Sequence, residues 1–199
     1  MAVDTRIYDQ RFFDRTLKLE ESSAKAVVNI LIKRFRPKSV IDIGCGIGIY
    51  LKEFEKKGIG ISGYDGAPAA IKNSLVGDKI KYHDLVKPLR LSRKFDLCLC
   101  VEVAEHLPET CENTLINSLV RLSDTLIYTA ATPGQGDLLI GHINERPHAY
   151  WKKKLKASGF TYKTKLTGVV RKEMAEKKAV WWVAKNLMVF QKNEKNITR

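Results

Sequence analysis

Apolar and polar positions along the chain change period several times, and each change marks an element. Val27, Val28, Leu31, Ile32 and Phe35 recur at helical spacing, predicting an amphipathic helix over residues 20–35 that Pro37 ends. Ser39-Val40-Ile41-Asp42-Ile43 is a short apolar strand that runs into glycines. A helix over 49–57 follows, closed by Gly58, then a strand over 60–64, a helix over 68–74 and a weaker strand over 80–83. The stretch 95–101 (FDLCLCV) is apolar almost throughout, as suits a parallel strand covered on both faces. A helix around 111–122, a strand over 125–130, a helix over 149–158 and a closing strand over 186–191 complete the series. This alternation predicts an α/β protein with a doubly wound, mostly parallel sheet, preceded by an N-terminal helix. In such sheets ligands bind beyond the carboxyl ends of the strands, here just after Ile43, Tyr64, His83, Val101 and Ala130.

Composition narrows the class without changing that picture. With 199 residues, 44% hydrophobic and 29% charged, the chain is a globular one with room for a single α/β core. No internal repeat or low-complexity linker divides it. No run approaches the roughly 18 apolar residues of a membrane span. The first fifteen residues lack a signal-peptide core, which points to a cytoplasmic protein. Cys45, Cys98, Cys100 and Cys111 show neither a CxxC pattern nor a disulfide framework and read as free thiols, with Cys98 and Cys100 on one strand face. The net charge of +13 is concentrated late: from Trp151 onward fourteen Lys or Arg stand against Glu173, Glu176 and Glu194. That asymmetry admits an anionic partner, nucleic acid included, or simply a set of solvated helix faces.

The expected strand ends carry suitable chemistry. After the first comes Asp42-Ile43-Gly44-Cys45-Gly46-Ile47-Gly48, a GxGxG turn whose glycines let a ligand approach the backbone. Nicotinamide enzymes use a related turn, but here the two-residue gap of GxGxxG is missing and Asp42 precedes the first glycine by two. Asp65, followed by Gly66, stands about twenty residues on, where a carboxylate accepts hydrogen bonds from the ribose hydroxyls of an adenosine or else caps a helix. Asp84, followed by Leu85, is placed to accept from an adenine amino group or to shape a turn. His83, His106, His142 and His148 are scattered among elements, and no metal-ligand spacing is visible.

The segment 101–107 (VEVAEHL) completes an ordered set with the DIGCGIG turn, Asp65 and Asp84-Leu85. Together these resemble the class I S-adenosylmethionine-dependent methyltransferases over roughly residues 38–135. The resemblance implies a Rossmann-like fold with an antiparallel last strand and S-adenosylmethionine as cofactor. It implies that Asp42, Gly44, Cys45, Gly46 and Gly48 face the amino-acid end of the cofactor, Asp65 and Gly66 the ribose, and Asp84 and Leu85 the adenine, with Val101 and Glu102 lining the wall. Glu105 and His106 read as mainly structural. Further on, 133–136 (PGQG), 142–147 (HINERP), Tyr150-Trp151, Trp181-Trp182 and 186–190 (NLMVF) resemble a bacterial and phage subgroup with a PGQGG…GHVNEQ…YW…WW…NLLVF pattern. Asp137 departs from that pattern, which leaves the shape of the loop open. The chain then reads as one methyltransferase domain over 1–199, with a helical cap (1–37), a cofactor-binding core (38–135) and a substrate loop with the C-terminal sheet edge (136–199).

A hydroxyl acceptor needs a base, and His142, in the loop beyond the fifth strand, is the candidate catalytic residue. Asn144, Glu145, Arg146 and Tyr150 are candidate acceptor-binding groups. The expected reaction is methyl transfer to a small-molecule or sugar acceptor, at oxygen. The alternatives are a nucleic-acid methyltransferase, favoured by the basic C-terminal part and the tryptophan pair, and a non-catalytic cofactor-binding protein.

Overall fold

The computed structural model describes residues 5–136 and 138–193. Strands β1 (Ser39–Ile43), β2 (Gly60–Asp65), β3 (Ile80–Tyr82), β4 (Leu97–Cys100), β5 (Thr125–Tyr128), β6 (Phe160–Tyr162) and β7 (Met188–Lys192) form one sheet in the order β3-β2-β1-β4-β5-β7-β6. Pairings among β1–β5 are parallel, while β7 runs antiparallel to both β5 and β6. The sheet winds outward in both directions from the β1–β4 pair, so the strand order reverses there.

Helices α1 (Gln10–Phe35), α2 (Ile49–Glu55), α3 (Pro68–Lys72), α4 (Glu112–Leu122), α5 (His148–Ala157), α6 (Thr164–Glu176) and α7 (Trp181–Asn186) surround the sheet. Strand pleating sorts side chains between two cores. Val40, Leu97, Leu99, Ile127 and Val189 pack beneath α1, α2 and α6, against Val28, Leu31, Leu51, Phe54, Val170 and Met174. Ile41, Ile43, Cys98, Cys100, Tyr128 and Phe190 pack on the opposite side, against Leu115, Leu119, Trp151 and Leu155 of α4 and α5. Cys98 and Cys100 thus share a face, buried and unpaired as thiols.

Helix α1 begins ten residues before its predicted start. Asp9 caps it, its Oδ1 accepting from the Phe12 N–H at 2.9 Å. At the other end Arg36 enters the left-handed region (φ 48°), its N–H donating to the Ile32 carbonyl, and Pro37 follows. The added turns lack a clean apolar stripe because Phe12, Phe13, Thr16 and Leu19 wall a cavity rather than cover the sheet. Three further elements have no counterpart in the sequence pattern. β6 is three residues long, α7 is six, and α6 buries only Thr167, Val170 and Met174.

One buried carboxylate joins α4, α5 and the loop between β5 and α5. Glu112, at the first turn of α4, is 1% exposed. It accepts from Asn144 Nδ2 at 2.9 Å and Tyr150 OH at 2.6 Å, and it pairs with Lys154 Nζ at 2.5 Å. Burial pushes its pKa up, but the hydrogen bonds from Lys154, Tyr150 and Asn144 outweigh that and hold it below its ordinary 4.5. Replacing Glu112 with alanine leaves Asn144 Nδ2 and the Tyr150 hydroxyl without that acceptor, while Lys154 keeps Asn113 Oδ1 at 3.0 Å. We expect Glu112→Ala to cost about 3 kcal/mol in urea unfolding at pH 7, the low end for a broken buried pair because Lys154 keeps access to water. A depressed carboxylate pKa stabilises the fold above the unfolded-state value and ceases to do so as pH falls through the folded one. The gap between wild type and variant should therefore narrow below about pH 4.5.

Candidate functional site

A cavity of about 690 Å³ opens where the strand order reverses. Its floor is built from the residues following β1, β2, β3, β4 and β5, as the doubly wound pattern requires. Asp42, Gly44, Cys45, Gly46, Asp65, Gly66, Asp84, Leu85, Val101, Glu102 and His142 all line it. Gly48 does not; it starts α2 instead, at φ 86°, where a Cβ would lie 2.7 Å from Ile80 Cδ1. The roof comes from residues with no signal in the expected strand-end segments: Tyr8, Phe12, Phe13 and Glu20 from the N-terminal part, and Trp181 and Trp182 of α7. Among the described residues that line it, Arg15 is the one Lys or Arg.

The glycine turn is fixed from β2. Gly44 N–H donates to the Tyr64 carbonyl at 2.8 Å, and Gly46 N–H donates to Asp65 Oδ2 at 2.8 Å. Asp65 Oδ1 accepts from the Ala67 N–H at 2.8 Å, so this carboxylate orders both the turn and the start of α3. Gly44 has φ 73°, and a side chain there would run into Val103. Asp84 combines both expected settings: it lines the cavity while its Oδ1 accepts from Val86 N–H at 3.3 Å within a turn. Glu102 sits just past β4 at φ 53°, a left-handed conformation costly for a side chain with a Cβ. Its N–H donates to Thr129 Oγ1 at 2.8 Å, and its carboxylate accepts from Asn186 Nδ2 at 3.2 and 3.3 Å.

Five carboxylates line this cavity: Glu20, Asp42, Asp65, Asp84 and Glu102. Burial and the charges of Asp65 and Glu20 push Asp42 up to about 7. Burial takes Glu102 to about 7 as well, against the hydrogen bonds from Thr129 and Asn186 and aided by the Glu20 charge. Glu20 is raised by burial although Tyr50 OH donates to it at 2.9 Å and Trp182 Nε1 at 3.4 Å. Asp65 is raised by burial despite its backbone donors. Asp42 Oδ1 is buried without a hydrogen-bond partner. An acidic pocket of this kind, in a chain of net charge +13, is suited to a cationic ligand.

Beyond β5 the loop returns over the cavity and brings His142 to it. His142 Nδ1 lies 2.7 Å from Glu145 Oε1, and Glu145 also accepts from the N–H groups of Gly134 and Gly136, both at 2.7 Å. Asp137, where the sequence departs from the subgroup pattern, lies outside the described residues. Asn144, Glu145, Arg146 and Tyr150 do not line the cavity. Each is engaged by the chain itself: Asn144 and Tyr150 by Glu112, Glu145 by the loop backbone, and Arg146 by Asn144 Oδ1 (2.9 Å) and Glu109 (2.7 Å). Glu105 anchors the same loop from below, its carbonyl accepting from the N–H groups of Ile143 and Asn144 and its Oε1 from Ala131 N–H at 2.9 Å. The histidines, scattered in sequence, meet in space: the rings of His106 and His142 stand edge to face at 4.8 Å.

Comparison with known proteins agrees with this geometry. Residues 14–164 match a family model described as a methyltransferase domain. A ubiquinone biosynthesis O-methyltransferase from Stutzerimonas stutzeri (strain A1501) is 30% identical over 121 residues, 57% of this chain and 47% of that protein. The chain therefore aligns with about half the length of the curated relatives it matches. The sugar N-methyltransferase KedS8 from Streptoalloteichus sp ATCC 53650 shares the fold with a TM-score of 0.69, at 15% identity over 92% of each chain. Magnesium protoporphyrin IX methyltransferase (ChlM) from Synechocystis PCC 6803, solved with bound SAH, shares it with a TM-score of 0.57 at 22% identity, over 72% of this chain and 74% of the other.

Proposed function

The chain belongs to the methyltransferase-domain family, and from that premise we propose that it is an S-adenosylmethionine-dependent enzyme that methylates a small-molecule or sugar acceptor at oxygen. The observation that carries this reading is the buried acidic cavity at the strand-order reversal, with Asp42 Oδ1 lacking a donor. S-adenosylmethionine supplies a methyl group already activated on a positively charged sulfur. Asp42 and Glu102 hold the positive end of the donor, beside the backbone of Gly44–Gly46. Asp65 accepts from the ribose hydroxyls, and Asp84 and Leu85 take the adenine. The apolar walls exclude water and strengthen these contacts.

The acceptor occupies the part of the cavity bounded by His106, Leu107, Gln135, Ile140 and His142. His142, held by Glu145, makes a hydroxyl there reactive, while Asn144, Arg146 and Tyr150 act indirectly by fixing the loop to Glu112. The O-methyltransferase and sugar N-methyltransferase activities for which the relatives are named support a small acceptor. So does the lining, where one basic residue offers little to a polyanion. Strands from both ends of the chain meet in one sheet, which supports one domain over residues 1–199. We place this enzyme in the cytoplasm; no described helix is long and apolar enough to cross a membrane.

Four outcomes test the reading. Calorimetry should show binding of S-adenosylmethionine and of its demethylated product but not of NAD. Asp65→Ala should weaken that binding roughly 10- to 150-fold, the worth of one or two charge-assisted hydrogen bonds; a change below about threefold would confine Asp65 to ordering the glycine turn. Because Asp42 titrates near 7, a cationic donor favours its ionised form and binding should release a proton. Affinity should rise from about pH 6 to pH 7.5, with heats that depend on the buffer, and Asp42→Asn should weaken both dependences, leaving the share that Glu102, also near 7, contributes. Finally, His142→Ala should lower turnover by roughly 10²–10⁴-fold with a hydroxyl acceptor while donor affinity stays within a few-fold. Unchanged turnover at saturation would point to an acceptor already ionised.

A further inference from the structure

A second cleft, of about 460 Å³, lies at the sheet edge where the parallel strands begin, away from the donor cavity. Residues 90–94 form one side as an arch leading into β4, and the last turn of α4 forms another. Lys192, the last residue of β7, completes it beside the start of β5. Five cations line this cleft: Arg90, Arg93, Lys94, Arg121 and Lys192. Asp124 answers only the lysines, at 2.7 Å from Lys94 and 3.7 Å from Lys192. The hydrogen bond from Lys94 and the charges of both amines hold its pKa below the ordinary 3.8, so this carboxylate is ionised and already engaged. Arg90, Arg93 and Arg121 enter no ion pair among the described residues. A cation in the last turn of a helix is favoured by the helix dipole, which accounts for Arg121 but not for the two arginines of the arch. The arch is fixed at both feet: Leu89 N–H donates to Ser118 Oγ at 3.0 Å, and Phe95 N–H donates to the Leu122 carbonyl at 2.8 Å. Arg93 lies over the buried Phe95 ring at 4.3 Å, and a guanidinium held by its flat face keeps its N–H edge for a ligand.

We propose that this cleft binds a small organic diphosphate, its phosphates across Arg90, Arg93 and Arg121 and its organic part over Leu91 and Val120. Guanidinium forks match phosphate oxygens in pairs, and three forks around one cleft suit two linked phosphates better than a single carboxylate. Crowded like charges repel, and an anion with several charges relieves all of them at once. Leu91 and Val120 pack against the core and give the cleft an apolar floor, which a bare inorganic ion would leave unused. Asp96, which follows the arch, and Asp124 set negative charge at its margins, so the basic surface is compact. A nucleic-acid strand is tracked by an extended groove of cations instead. The site lies outside the donor cavity, and nothing in its argument depends on the methyltransferase reading.

Calorimetry on the full chain at low salt tests this, with inorganic pyrophosphate and UDP as the probes. Each should bind at about one equivalent, at least about tenfold more tightly than inorganic phosphate, and UDP no more weakly than pyrophosphate. Arg90→Ala and Arg121→Ala should each weaken both probes roughly five- to tenfold, the lower range for charge-assisted hydrogen bonds because these side chains reach water. Lys165→Ala removes the same charge from an exposed position outside the cleft and should change neither. Both arginines are exposed, so thermal melting of the variants should match wild type. The site is refuted if pyrophosphate does not bind, if the arginine variants bind as wild type does, or if Lys165→Ala weakens binding as much as they do. Binding of pyrophosphate but not of UDP would overturn the place given to the organic part. A single-stranded oligonucleotide that binds more tightly than UDP, through the same two arginines, would overturn the small ligand in favour of nucleic acid.

Discussion

Carboxylates drawn together in one cavity, with no ion pair among the described residues to neutralise Glu20, Asp42, Asp65 and Glu102, set the terms for the rest of the site. Burial and mutual repulsion raise Asp42 and Glu102 to about 7, so the pocket keeps a share of its protons at neutral pH. The sheet makes this unavoidable. Five strands end at the same edge of the molecule, and each delivers the first residues after it into one crevice. A positive ligand relieves what the fold has concentrated there. Basic residues of the C-terminal part lie elsewhere and pair with Glu112, Glu176 and Asp124.

The cavity floor was legible in the chain because strand ends leave a local signature. A glycine turn after an apolar run, an acid some twenty residues on and a further acid after the next strand can each be read from their neighbours. The sheet followed from alternation, including the buried run that became β4. The roof was not legible. Phe12, Phe13 and Trp182 reach the site from α1 and α7, and apolar residues that wall a cavity look like core or surface until the helices are placed. Glu20 is a helical acid with nothing around it in sequence to announce Tyr50 and Trp182 as partners. The backbone at Glu102 gives no sign in its residue type either: its left-handed turn comes with a hydrogen bond from its N–H to Thr129, a residue distant in sequence.

Candidate acceptor groups fared differently for a related reason. Asn144 and Arg146 in the loop and Tyr150 in the first turn of α5 are polar residues near a pocket, and polarity alone does not tell whether such groups face a ligand or the protein. Glu112 decides it, because a buried carboxylate collects donors from whatever packs above it. His106 and His142, thirty-six positions apart, meet because Glu105 pins the loop's backbone immediately beneath them.

That pinning also bears on how new specificities arise in this scaffold. Glu105 grips the returning loop through the main-chain N–H groups of Ile143 and Asn144, and Ala131 through its own N–H, so these anchors are indifferent to side-chain identity. Between them Gly136 and Gly141 leave no room for a Cβ, one against His142 and the other against Tyr8, while the Asp65 hydrogen bonds that order the glycine turn involve no residue of this loop. Gln135 and Ile140 line the cavity from this stretch, so substitution there changes its wall without touching the hydrogen bonds that order the glycine turn. Change at those two positions reshapes one wall of the pocket and leaves the glycine-turn wall as it is.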